Sequence, residues 1–79
     1  MVTVYPNPFR GTTTFTFNDV SQSVKATLII YNALGAEVMS TLITNTTTTI
    51  DAGVLTTGIY FYTLTDNDHT IQSGKLIAQ

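Results

Sequence analysis

The sequence predicts an all-β domain, a seven-stranded antiparallel sandwich, and three observations carry that prediction. The first is composition: 17 of the 79 residues are threonine. With Val, Ile, Tyr and Phe they favour pleated strands, because β-branched and aromatic side chains lose rotamer freedom in a helix. The second is punctuation. Turn-forming residues recur at Pro6-Asn7-Pro8, Gly11, Asn18-Asp19, Asn32 to Gly35, Asn45, Asp51 to Gly53, Gly58 and Asp66 to Asp68, and this spacing leaves room only for short strands. The third is a two-residue alternation of apolar positions between those turns, the period that sends side chains to opposite faces of a sheet.

The strands are expected at Val2 to Tyr5, Thr13 to Phe17, Lys25 to Tyr31, Glu37 to Ile43, Thr47 to Ile50, Ile59 to Thr65 and Thr70 to Ala78. Alternation puts Phe15 and Phe17 on one face of the second strand, and Ala26, Leu28 and Ile30 on one face of the third. These faces are candidate core. In the sixth strand Thr63 shares a face with Ile59 and Phe61, so the inward set is Tyr60, Tyr62 and Leu64, and Ile59 and Phe61 are expected to meet solvent. Asn32-Ala33-Leu34-Gly35 reads as a type I turn closed by a left-handed glycine, joining the third and fourth strands as a hairpin. Asp66-Asn67-Asp68-His69 reads as a second polar hairpin turn. The threonine run Thr46 to Thr49 suits an edge strand better than a linker, because β-branched residues stiffen an extended chain. Leu55-x-x-Gly58-x-Tyr60 resembles the corner that opens a late strand in immunoglobulin-like sandwiches, where the tyrosine hydroxyl bonds back to nearby backbone.

Several function classes are excluded by composition. The net charge is −2, and the three cations, Arg10, Lys25 and Lys75, form no basic stripe, so nucleic acid is not an expected partner. No cysteine is present, so neither a disulfide nor a thiolate metal site can staple the core. The apolar runs are a few residues each, far short of the roughly 20 that a transmembrane helix requires. MVTVYPNPF has neither a basic nor an apolar signal region, so any export signal is expected on sequence preceding it.

The one histidine, His69, lies beside Asp66 and Asp68, a combination that could in principle hold a metal or move a proton. No second His or any Cys completes a ligand set, and Asn and Asp are what a turn selects, so the segment reads as a hairpin tip. The same shortage of an oriented base argues against nucleophilic catalysis, and no catalytic, cofactor-binding or metal residues are expected. Asn45-Thr46-Thr47 fits a glycosylation sequon, a cheap match in a threonine-rich chain.

Four stretches, VYPNPF (Val4 to Phe9), LIIYNALGAEV (Leu28 to Val38), LTTGIYFYTL (Leu55 to Leu64) and SGKLIAQ (Ser73 to Gln79), together resemble the type A C-terminal sorting domain of the type IX secretion system. The resemblance covers essentially the whole chain in the family's order, and its structural landmarks are Pro6, Asn7, Pro8, Gly35, Leu55, Gly58 and Tyr60. Two positions depart from it: Ala36-Glu37 stands where a basic residue often follows the turn glycine, and Ala78 where a larger aliphatic is common.

The resemblance implies a non-enzymatic delivery module, here a single domain excised from the C-terminus of a larger secreted protein of a Gram-negative bacterium. Its implied partners are an outer-membrane type IX translocon or shuttle, a sortase-like peptidase that removes the domain, and an N-terminal cargo domain. The implied route runs through the periplasm to the surface or the medium. Two recognition surfaces are candidates. One is the terminal strand, Lys75, Leu76, Ile77 and Ala78, which could be offered through its backbone by β-augmentation. The other is the outward pair Ile59 and Phe61. The alternative is an immunoglobulin- or fibronectin-like spacer or a carbohydrate-binding module, with Tyr60-Phe61-Tyr62 as a stacking platform.

Overall fold

The structure is a computed structural model that describes residues 2–17, 26–44, 46–51, 55–66 and 69–79. Seven strands follow in order: β1 (Val2–Tyr5), β2 (Thr12–Phe17), β3 (Ala26–Asn32), β4 (Glu37–Leu42), β5 (Thr47–Asp51), β6 (Gly58–Asp66) and β7 (His69–Ala78). They form two antiparallel sheets, one in the order β1-β2-β5 and one in the order β4-β3-β6-β7. No helix occurs among the described residues. The strands expected from the sequence are all present, with ends displaced by a residue at most; Lys25 and the tip residues Asn67 and Asp68 lie outside the described residues.

The core sits between the sheets and is built by the alternation seen in the sequence. Phe15 and Phe17 from β2 meet Ala26, Leu28 and Ile30 from β3 and Tyr60, Tyr62 and Leu64 from β6, and all are buried. The ring of Phe15 stacks beside Phe17 and meets Tyr62 edge-on, at centroid distances of 6.3 and 5.1 Å. Edge-on contact suits the positive rim and negative face of aromatic rings. Phe9, Leu76 and Ala78 complete the core from the two ends of the chain.

The threonine run forms β5, an edge of the three-stranded sheet, as its composition predicts. The β3–β4 connection closes with a Gly35 N–H bond to the Asn32 carbonyl at 3.0 Å, and Asn32 Oδ1 accepts from the N–H groups of both Leu34 and Ala36. The ladder slips beyond Ile30, which faces Met39 while Tyr31 faces Glu37, so Val38 is the extra residue of a bulge. Gly35 has φ +89°, in the region expected for it. A side chain there would meet no atom within 4 Å, so its cost is backbone conformation alone. Gly35→Val is expected to lower stability by about 1 to 2 kcal/mol in chemical denaturation. A variant as stable as the parent would refute that assignment.

Candidate functional site

Parity in β6 sends Ile59 and Phe61 to the outer face, where they are 48% and 44% exposed. Register then sets their neighbours: Phe61 stands between Tyr31 on β3 and Lys75 on β7, and Ile59 stands opposite Ile77. Tyr31 and Ile77 are partly buried and Lys75 is exposed. The outer face of the four-stranded sheet thus carries an apolar patch of two aromatic and two aliphatic side chains, with a cation at its border. The other sheet contrasts with it. Its outer positions are mostly threonines, with Thr3, Thr16 and Thr47 in one row across the strands and the exposed Tyr5, Thr14 and Thr49 in the next. Among the described residues, Tyr5, Leu34, Val38, Leu42 and Ile71 are also exposed, but it is the β6 row that register joins into one contiguous apolar area.

The terminal strand differs from its expected form in two respects. Leu76 and Ala78 point into the core, at 0% and 3% exposure, so of the four residues expected to form a surface only Lys75 and Ile77 face outward. Nor is the backbone edge open. Asn7 Nδ2 donates to the Lys75 carbonyl at 2.9 Å, and the Ile77 N–H donates to Asn7 Oδ1 at 3.0 Å. The Phe9 N–H donates to the Ile77 carbonyl at 3.0 Å, and the Gln79 N–H donates to the Phe9 carbonyl at 2.9 Å. The side-chain amide of Asn7 supplies one donor and one acceptor in place of a peptide group. Phe9 then adds a parallel bridge to Ala78.

Further contacts seat this opening segment. Gln72 Nε2 donates to the Val2 carbonyl, and its Oε1 accepts the Val2 N–H, at 3.1 and 2.9 Å. Thr13, fully buried, donates its hydroxyl to the Pro6 carbonyl at 2.7 Å. The VYPNPF stretch is therefore a clasp between the two ends of the chain. Asn7 was legible as a turn residue; its partnership with residues some 70 positions away was not. Gln72 and Thr13 carried no sequence signal beyond their place in strands.

The tyrosine corner takes its expected form. Tyr60 Oη donates to the Thr56 carbonyl at 2.7 Å and lies 3.1 Å from the Thr56 hydroxyl, with Leu55 buried beside the turn and Gly58 opening β6. The bond satisfies the hydroxyl of a buried ring, a structural role. Across the ladder Tyr62 faces Gly74, and a Cβ at Gly74 would fall 2.6 to 2.7 Å from the Tyr62 ring and hydroxyl. This close approach was missed in the sequence, where Gly74 reads only as an interruption of a strand.

Asp66 and His69 pair in register at the shared end of β6 and β7, the position expected of a hairpin mouth, while Asp68 lies outside the described residues. Among the described residues no three His, Asp or Glu side chains converge as a metal site would require. Asn45 of the sequon also lies outside them. No helix of the described residues is long and apolar enough to cross a membrane.

A family model described as the secretion system C-terminal sorting domain matches residues 3–79. The chain belongs to this family. It is accordingly a sorting signal of type IX secretion, and the match favours that function over the spacer and sugar-binding readings that the sandwich alone leaves open. A comparison with curated proteins returns no match. Membership implies engagement with the type IX machinery, an attached cargo, and export to the cell surface or the medium. The clasp and the tyrosine corner lie within the matched span, so the family's opening motif and its GIY segment have structural work in this member of the family.

Proposed function

We propose that the type IX machinery reads this sorting domain through the outer face of β6 and β7, centred on Ile59 and Phe61 and bordered by Lys75 and Ile77. The observation that carries the proposal is the patch of Tyr31, Phe61, Ile59 and Ile77, which the strand register sets side by side on one face. Apolar side chains on a solvent face lower solubility without adding to the core, and a partner that covers them gains their burial. The domain acts as an address without catalysis of its own. It carries a cargo joined on its N-terminal side through the periplasm to an outer-membrane translocon or shuttle, and a sortase-like peptidase then removes it.

The test is a fusion of a signal peptide, a reporter and this domain in a bacterium that has the type IX machinery. The parent fusion is expected at the surface or in the medium. An Ile59→Ser, Phe61→Ser double variant is expected to fold and to lose export by about tenfold or more, the loss typical of truncating central interface side chains. Export of the folded double variant at the parent's level would move the recognition surface elsewhere. A parent fusion held in the periplasm of a competent host would overturn the address itself.

A further inference from the structure

The longest strand of the fold, the ten-residue β7, lies at a sheet edge, where unpaired N–H and C=O groups invite another strand. The fold's other outer strands are blunted in different ways. β1 is four residues long, the ladder of β4 is broken by its bulge, and β5 is five residues long and ends in Asp51. On β7 the Lys75 carbonyl, the Ile77 N–H and carbonyl and the Gln79 N–H are taken by Asn7 and Phe9. The covering segment cannot pass the problem on, because Pro6 and Pro8 have no N–H to offer a further strand.

We propose that the segment Pro6 to Phe9 is an edge guard, and that by holding Lys75 and Ile77 it interrupts the outer edge of β7 that runs on from Ser73, an edge whose occupant when uncovered is the same edge of a second copy of this chain. Phe9 anchors the guard by burying its ring in the core, while Asn7 does the blocking through two solvent-exposed bonds. Without the Asn7 amide, the Lys75 carbonyl and the Ile77 N–H become free. By the alternation of an antiparallel ladder, the outward groups of Ser73 lie in line with them. Such an edge is self-complementary: two copies related by a two-fold axis present the same donors and acceptors to each other in antiparallel register. Pairing over Ser73 to Ile77 sets Lys75 of one copy opposite Lys75 of the other, one exposed like-charge pair that salt screens, while Ser73 and Ile77 add no charge.

The test compares the intact chain with Asn7→Ala by sedimentation velocity over a concentration series and by amide hydrogen exchange. Loss of Asn7 is expected to raise exchange at the Ile77 amide at dilutions where the chain is monomeric, to protect it again as copies pair, and to tighten self-association about tenfold or more, since a freed edge is a pairing template. Adding Ile77→Pro to that variant is expected to restore the monomer, because the Ile77 N–H points away from β6 and proline removes it from the exposed edge alone. The milder Asn7→Asp, which keeps the acceptor for Ile77 but faces the Lys75 carbonyl with a carboxylate, is expected to associate to an intermediate degree. It also serves as the release variant should Asn7→Ala not fold. A released variant that stays monomeric with its Ile77 amide unprotected overturns the proposal. So does self-association that survives Ile77→Pro, which would belong to another surface, or an Ile77 amide that in dilute, monomeric Asn7→Ala or Asn7→Asp is as protected as in the parent.

Discussion

Gly74→Ala is expected to lower the stability of this domain by about 1 to 3 kcal/mol, the usual cost of forcing an extra methyl into a packed interior. The new Cβ would stand 2.6 Å from Tyr62 Oη and 2.7 Å from two carbons of its ring, closer than carbon atoms approach without displacement. Tyr62 cannot swing aside freely. It is buried, its ring meets Phe15 edge-on at 5.1 Å, and Phe15 is itself fully buried. Alanine would otherwise suit a strand at least as well as glycine, so a loss of stability identifies the clash and not the backbone. For a domain of this size each kcal/mol corresponds to roughly 4 to 8 °C in Tm, so the shift is measurable by calorimetry. The companion measurement is a double-mutant cycle with Tyr62→Leu, in which the cost of Gly74→Ala should shrink because the obstructing ring is gone. An undiminished cost in that background would place the origin elsewhere.

Removal of Lys75 to Gln79 is expected to abolish both the cooperative unfolding transition and export. The five residues include Leu76, which is completely buried, and Ala78, nearly so. They also carry every carbonyl and N–H on which Asn7 and Phe9 rest. Burial of a leucine alone is worth about 1.5 to 3 kcal/mol, and loss of the clasp also removes the Ile77 and Gln79 backbone partners of Phe9. A domain of this size has little margin above that. Failed export by the truncated chain therefore reports a lost fold as readily as a lost address. The separating variant is Lys75→Ala, Gln79→Ala: both side chains are exposed, and the bond from the Gln79 N–H to Phe9 uses backbone only. Its stability should stay within about 0.5 kcal/mol of the parent. A truncated chain that still melts cooperatively near the parent's Tm would contradict the clasp's contribution. A double variant that folds but is not exported would assign recognition to those two side chains.

Legibility followed the range of the interaction. Strand positions, inward faces and the Asn32 to Gly35 hairpin depend on periods of two residues and on turns closed within four, so composition and spacing were enough to place them. The tyrosine corner joins residues four apart and was visible for the same reason. The exposure of Ile59 and Phe61 followed from parity within one strand. Family membership was legible too, because the quoted stretches keep their order along the chain.

The availability of the terminal strand was not of this kind. Lys75 to Ala78 is expected from the sequence to offer its backbone edge to a partner strand. The cover comes from Asn7 and Phe9, brought alongside β7 only after the two sheets pack face to face. The place of Gly74 beneath Tyr62 likewise depends on the β6–β7 register, which the bulge after Leu64 resets by one residue. Local chemistry by itself determined which residues form strands, which faces they bury and which family the chain joins. Only the tertiary structure decided which edges remain open, because an edge is closed by whichever segment the packed core carries next to it, and that segment here lies some 70 residues away.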